Sequence, residues 1–130
     1  PLIVKRGGIR TEYNRQKMLA SMMLALRKRP ISFERVEDAA DYIEQQMILM
    51  GEREIRSVRL GDLVLDALSR LDTIAYIRFA SVYLNIADPE SFIVLIQKTM
   101  ENTDPTLDFH SKPTTEKTVD SLRRAVEALR

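Results

Sequence analysis

Apolar and polar positions along this chain follow two periods, a short extended one at the start and a helical one afterwards. Residues 2–6 and 9–13 are β-type runs separated by Gly7-Gly8. That pattern predicts a two-residue hairpin, because a type I′ turn needs two residues at positive φ and glycine adopts them without steric cost. From Asn14 the spacing changes. Asn14 stands as an N-cap before Met18, Leu19, Met22, Met23 and Leu26, which predicts a helix over about 15–28, interrupted by Pro30. Ser32 caps a second helix with Phe33, Val36, Ala40, Ile43, Met47 and Met50 facing inward, closed by Gly51. Glu54-Ile55-Arg56 is a candidate third strand, since a lone two-stranded ribbon is marginal in water.

Ser57 is placed to cap a third helix carrying Leu60, Leu63, Val64, Ala67, Leu68 and Leu71. Asp72 caps a fourth, Thr73 to about Ile86, apolar on more than one side as a central helix would be. Asp88-Pro89 opens a fifth that ends near Met100. Between Glu101 and Pro113 the composition turns to Asn, Thr, Asp, Pro, Ser and Lys, which reads as a linker with few anchors. After it, Val119, Leu122, Ala125, Val126 and Leu129 predict an amphipathic helix over 114–130 that must dock on its own body or on a partner subunit. The fold class expected is α+β and mainly helical: a small N-terminal β-hairpin, with the candidate third strand, packed on four to five helices. A domain of residues 1–100 is followed by linker and tail helix over 101–130.

Composition narrows the chemistry. The 130 residues contain no Cys and one His, which excludes a thiolate zinc site, a disulfide framework, a cysteine nucleophile and any multi-histidine site within this chain. His110 falls in the linker, where a solvated role is expected. Asp62 and Asp66 stand at i, i+4, and that spacing reads as a solvated helix face rather than a catalytic pair. No apolar run reaches the roughly 18 residues of a membrane span, so a soluble, cytoplasmic protein without enzymatic activity is expected.

The net charge of +1 hides an asymmetry. Residues 1–30 hold eight bases against the single acid Glu12, a local +7, so the remaining hundred residues carry −6. A basic end on an acidic body points to one local anion site. Arg27-Lys28-Arg29 fits the last turn of the first helix, where cations favour the dipole. Lys5 and Arg6 have no such explanation. With Lys17 in the first turn after Asn14, they bring three cations to free helix N–H groups, an arrangement suited to phosphate. Spacing alone leaves a triphosphate and a simpler anion both open.

Several separated motifs then carry a resemblance. Ile3-Val4-Lys5-Arg6-Gly7-Gly8 with Glu12-Tyr13-Asn14-Arg15-Gln16-Lys17 resembles the ATP-cone, an allosteric module that binds ATP and dATP. Lys28-Arg29-Pro30-Ile31-Ser32, Gly51-Glu52-Arg53-Glu54-Ile55, and Leu71-Asp72 with the run Ile74–Tyr83 are similar to the cone of the NrdR family in particular. Those are bacterial transcriptional repressors of ribonucleotide reductase genes. The resemblance covers about residues 1–95 and implies that Lys5, Arg6 and Lys17 face the phosphates. It also implies nucleotide contacts at Ile3 and Asn14, an aromatic approach by Tyr83 and a contact near Ser57. ATP or dATP, with magnesium, would be the ligand.

Departures from the family pattern are Gly7 for an Asp, Arg56 for a Pro, and Leu84 and Ile86 for an Arg and a Phe. The family carries a four-cysteine zinc ribbon before the cone, which reads promoter DNA. This chain opens at Pro1 without one, so a truncated protein is expected, with zinc confined to the missing ribbon. The family further implies a homo-oligomer whose assembly responds to nucleotide, with Val119–Leu129 a candidate for part of the contact. Two other readings are weighed against it. An activity-switch cone cut from a ribonucleotide reductase catalytic chain fits the motifs after Gly51 less well. A helix-turn-helix built on Pro30 lacks a polar recognition surface beyond Glu34 and Arg35.

Overall fold

The computed structural model describes residues 1–102, 108, 109 and 115–129. Its elements run β1 (Leu2–Val4), β2 (Arg10–Glu12), α1 (Arg15–Ala25), α2 (Phe33–Met50), β3 (Glu54–Arg56), α3 (Ser57–Leu71), α4 (Thr73–Tyr83), α5 (Pro89–Asn102) and α6 (Thr115–Glu127). The fold is α+β and mainly helical, as the sequence predicts. The third strand forms, giving sheet order β2-β1-β3 with β1 antiparallel to β2 and parallel to β3. Ile3 and Ile55 pair across β1 and β3, and both are buried against the helices.

The turn between β1 and β2 differs from the two-residue form expected. Val4 pairs with Arg10, leaving residues 5–9 outside the ladder, and the Lys5 N–H donates to the Ile9 carbonyl at 2.8 Å. The Gly8 N–H closes onto the Lys5 carbonyl at 3.0 Å, so Arg6 and Gly7 occupy the turn's centre. Both glycines do adopt positive φ, 88° and 83°. The turn lifts Arg6 to its tip and leaves Lys5 at its base.

Helix ends obey caps that the apolar spacing does not show. Asn14, Ser32 and Asp72 each accept an N–H two or three residues on, as expected. Ser57 does not cap; Arg56 holds the cap position without a side-chain bond, and Ser57 begins α3. α1 stops at Ala25, short of 28: Leu26 caps it at φ −87° and ψ 2°, and Lys28 then turns left-handed at φ 65°, two residues ahead of Pro30. α4 stops at Tyr83 rather than Ile86. Asn85 takes φ 55°, its N–H donates to the Val82 carbonyl, and that of Ile86 donates to Ser81, a Schellman closure.

The central helix is α3, not α4. α3 packs against α2, α4, α6 and β3 and buries Leu63, Val64, Leu65, Ala67, Leu68 and Leu71 around nearly its whole circumference, as a helix apolar on all sides must. α4 instead leaves Val82 82% exposed. Phe33, placed inward by the spacing, is 53% exposed at the start of α2, one turn before the helix meets the core at Val36.

Asp62 and Asp66 correct the solvated-face reading most sharply, being 8% and 4% exposed. Arg123 of α6 meets Asp62, and Tyr42 and Arg70 enclose Asp66. α6 docks on α3 and α5 with Val119, Leu122 and Val126 buried, so its stripe packs on the chain's own body rather than standing free for a partner. Within the region read as an unanchored linker, Phe109 stacks 5.4 Å from Tyr42 and the Asp108 carbonyl accepts from Arg70. His110 lies outside the described residues. No described helix is long and apolar enough to cross a membrane.

Candidate functional site

The basic N-terminal region resolves into two groups once its partners are known. Arg10 pairs with Glu54 across the sheet at 2.6 Å, and Arg15 with Glu44 and Asp41 of α2 at 2.7 and 2.9 Å. Arg29 lies past α1 rather than in its last turn and grips Asp72 through two donors, at 2.8 and 3.1 Å. These three arginines tie elements together. Lys5 and Lys17 do something else: they stand on the wall of one cavity of about 330 Å³, within the usual range of small-molecule sites.

Five parts of the fold build that cavity. β1 and its turn bring Ile3 and Lys5, β2 brings Thr11 and Glu12, the start of α1 brings Asn14, Lys17 and Met18, α3 brings Ser57, Leu60, Gly61 and Val64, and α4 brings Phe79 and Tyr83. Six of the seven residues that the sequence singled out therefore converge: Ile3, Lys5, Asn14, Lys17, Ser57 and Tyr83. Arg6 does not reach the wall. It sits on the turn's exposed tip, beside Lys5 in sequence.

The cavity is divided chemically. Ile3, Met18 and Val64 are buried, and with Leu60, Phe79 and Tyr83 they make an apolar end. Lys5, Asn14 and Lys17 are exposed and make a cationic rim. The Asn14 side chain accepts the Lys17 N–H at 3.2 Å, so the amides of Arg15 and Gln16, unpaired within the helix by its geometry, add donors at the same rim. One apolar end and one cationic end suit a ligand with a flat apolar group and a phosphate chain. Two other hollows, of about 460 and 470 Å³, lie against Pro1, Tyr13 and Glu44 and under Ile86, Pro89 and Phe92. Neither has a Lys or Arg on its wall.

Tyr83 is held from behind. Its hydroxyl lies 2.6 Å from the Val58 carbonyl and 3.0 Å from Asp62 Oδ1, so one proton sits between two acceptors. Burial first, and then the Asp62 carboxylate, push its pKa well above the ordinary phenol value. Phe79, one turn earlier, stacks 5.9 Å from it. Tyr13, also on the wall, donates to Glu44 at 2.7 Å and is likewise raised, by burial and then by that carboxylate. Among the cavity-forming residues that were not singled out as site residues are Gly61 and Phe79, while Met18, Leu60 and Val64 were read as core alone. The Phe79/Tyr83 spacing of i, i+4 and a glycine inside a helix were the available signals. Among the described residues no cluster of three or more His, Cys, Asp or Glu could hold a metal ion.

Comparison with known proteins identifies the family. A family profile described as the ATP cone domain matches residues 1–89. Three curated relatives carry the name transcriptional repressor NrdR. That of Albidiferax ferrireducens is 51% identical over 98 residues, covering 75% of this chain and 66% of the relative. Those of Paraburkholderia phymatum and Burkholderia thailandensis are 52% and 50% identical over 98 residues, again 75% of this chain and 60% and 62% of theirs. The chain thus spans a little under two thirds of the length of these repressors.

Proposed function

The chain belongs to the ATP-cone family, and from that premise we propose that its cavity binds an adenine nucleotide, ATP or dATP. The triphosphate lies at Lys5 and Lys17, with Asn14 and the α1 amides completing the rim and Arg6 adding its charge from the exposed turn beside it. The nucleoside lies against Ile3, Tyr83 and the α3 wall near Ser57. A magnesium ion would travel with the phosphates, and Glu12 is the carboxylate on the cavity wall nearest in sequence to that rim. The observation that carries this reading is convergence: residues from four separate parts of the chain that the family pattern assigns to nucleotide line one cavity with an apolar and a cationic end.

Calorimetric titration tests it. Lys5→Ala or Lys17→Ala removes a charge-assisted contact of roughly 1.5–3 kcal/mol, about 10- to 150-fold in ATP affinity. Unchanged affinity in both variants removes the assignment.

At the next level, the repressor names of the relatives support a role for residues 1–100 as the nucleotide-sensing domain of an NrdR-type transcriptional repressor, acting in the bacterial cytoplasm rather than as an enzyme. In the NrdR family pattern a cysteine-bearing zinc ribbon contacts DNA, so residues 1–130, which hold no cysteine, should by themselves bind DNA poorly. In a salt-titrated mobility shift, tight sequence-specific DNA binding by residues 1–130 alone overturns that expectation.

Nucleotide then controls assembly. ATP and dATP differ by one 2′-hydroxyl, whose hydrogen bond is worth about 0.5–1.5 kcal/mol, only about 2- to 13-fold. An oligomer sharpens so small a difference by adding it over subunits that share one equilibrium. Since α6 commits Val119, Leu122 and Val126 to the chain's own body, one apolar surface open to a second copy is on α5, where Phe92, Ile93, Ile96 and Met100 are exposed. Light scattering should show a mass that changes between ATP and dATP and falls to monomer in the double variant Ile93→Asp, Ile96→Asp. A constant monomer mass removes the assembly mechanism.

A further inference from the structure

The tail after Asn102 lies beyond the family match, which ends at residue 89. Burial of Val119, Leu122 and Val126 would be enough to dock α6. The helix does more than dock. Its Arg123 Nη2 lies 2.9 Å from Asp62 Oδ1, while Asp120, one turn back, holds Nη1 at 3.2 Å. The same Asp62 oxygen takes the Tyr83 hydroxyl at 3.0 Å, and the guanidinium stands 6.0 Å from the centre of the Tyr83 ring. Tyr83 in turn forms the cavity wall. A continuous line of contacts runs from the tail helix through one carboxylate to the candidate nucleotide site.

The charges say why the line matters. The Asp62 side chain is largely buried in α3, and a buried carboxylate needs a partner. Arg123 is its only ion-pair partner among the described residues. Burial alone would lower the pKa of Arg123, and the carboxylate outweighs it, leaving the guanidinium firmly charged. If the tail withdraws, Asp62 keeps the Tyr83 hydroxyl but no cation, and a carboxylate that turns toward water to regain solvation takes from Tyr83 one of the two acceptors that fix its hydroxyl. Gly61 offers no side chain to hold the ring in its place.

We infer that α6 positions the nucleotide cavity: Arg123, acting through Asp62, holds Tyr83 as the wall against the nucleoside end. This rests on the proposed nucleotide site. By linkage, a nucleotide that needs Tyr83 in place favours the docked tail by the same factor by which the docked tail favours the nucleotide.

The test uses the whole 130-residue chain. ATP and inorganic tripolyphosphate are titrated into wild type, Arg123→Ala, Arg123→Lys and, as a control on an exposed neighbour, Arg124→Ala. Arg123→Ala should weaken ATP by roughly 5-fold or more and leave tripolyphosphate, which needs only the cationic rim, unchanged. Arg123→Lys should recover most of the ATP loss, and Arg124→Ala should match wild type. In wild type, amide hydrogen exchange within residues 119–126 should slow on saturation with ATP, a readout that stands even if a variant fails to fold. Unchanged ATP affinity in Arg123→Ala, equal weakening of both ligands, or exchange in α6 indifferent to ATP overturns the inference. Lys5→Ala and Lys17→Ala separate the two levels: if either weakens ATP while Arg123→Ala does not, the site stands and the tail's role falls, whereas if both leave ATP unchanged the site and the tail's role fall together.

Discussion

Tyr83 occupies the space that a side chain at residue 61 would fill. A Cβ on Gly61 would meet the ring at 2.4 Å from Cε1, 2.6 Å from Cζ and 2.8 Å from the hydroxyl, closer than real Cβ contacts come. The glycine sits inside α3, where it costs about 1 kcal/mol of helix propensity against alanine. What that cost permits is the approach of α4's last aromatic flat over α3, with its hydroxyl in reach of Val58 and Asp62. One glycine thereby sets the width of the candidate nucleotide cavity.

Gly61→Ala should for that reason destabilise the fold although it improves the helix. Overpacking of this kind costs about 1–3 kcal/mol, against a propensity gain of at most about 1 kcal/mol. Urea unfolding should show a lower midpoint, and ATP binding should weaken because Tyr83 is displaced. A raised midpoint would mean that the ring moves aside freely and that α3 does not fix it.

Arg6 and Lys17 should separate in their effects on ATP, although the family pattern treats them alike. Lys17 stands on the cavity rim; Arg6 is at the exposed centre of the β1–β2 turn, where a contact to phosphate is solvent-screened. Exposed pairs contribute about 0.2–1 kcal/mol, so Arg6→Ala should lower affinity by less than about 5-fold while Lys17→Ala lowers it by 10-fold or more. Titrations of the two variants at low and high salt check this, and an equal loss in both would place Arg6 against the ligand.

The cavity's cationic rim was legible because its parts are local. Lys5 is fixed by a turn whose glycines announce themselves, and Lys17 by a cap three residues before it. Of its apolar end the spacing gave nothing and the family resemblance gave only Ile3 and Tyr83; Phe79 joins them only after α3 and α4 have packed, and helical spacing does not say which face meets which neighbour. Asp62 and Asp66 show the same limit. Their spacing alone describes a wet face; their arginines lie 61 and 4 residues away, and the apolar residues surrounding them on every side of α3 were the signal that the whole helix is inside.

Asp66 and Arg70 form the more buried of the two pairs, with side chains 2% and 0% exposed. Arg70 lies 4.8 Å over the Tyr42 ring, and Tyr42 donates to Asp66 at 2.5 Å. Removing one partner from such a pair leaves an uncompensated charge and costs about 3–5 kcal/mol. Asp66→Ala should lose that much stability in urea unfolding, far more than Asp120→Ala on the surface of α6. A loss below about 1 kcal/mol would show that Arg70 finds sufficient partners elsewhere, the Asp108 carbonyl among them.

Acid should weaken the junction between α1 and α4. Burial would raise the pKa of Asp72, but the hydrogen bonds from Arg29 and the Ala75 N–H outweigh it, and the carboxyl titrates below its ordinary range. A folded-state pKa below the unfolded value means that the stabilisation is fully present above the unfolded pKa, near 3.9, and is lost as pH falls through the folded one. Asp72→Asn separates this from the cap itself, because asparagine caps helices about as well as aspartate but cannot pair with Arg29 as an anion. Wild type should exceed the variant in stability at pH 7, by about 1–3 kcal/mol for a hydrogen-bonded charge. The gap should hold down to about pH 5 and close below about pH 4. Denaturant unfolding of both proteins from pH 7 to pH 2.5 measures it. A gap that stays constant across that range would show that Asp72 serves only as a cap and that Arg29 contributes nothing through its charge.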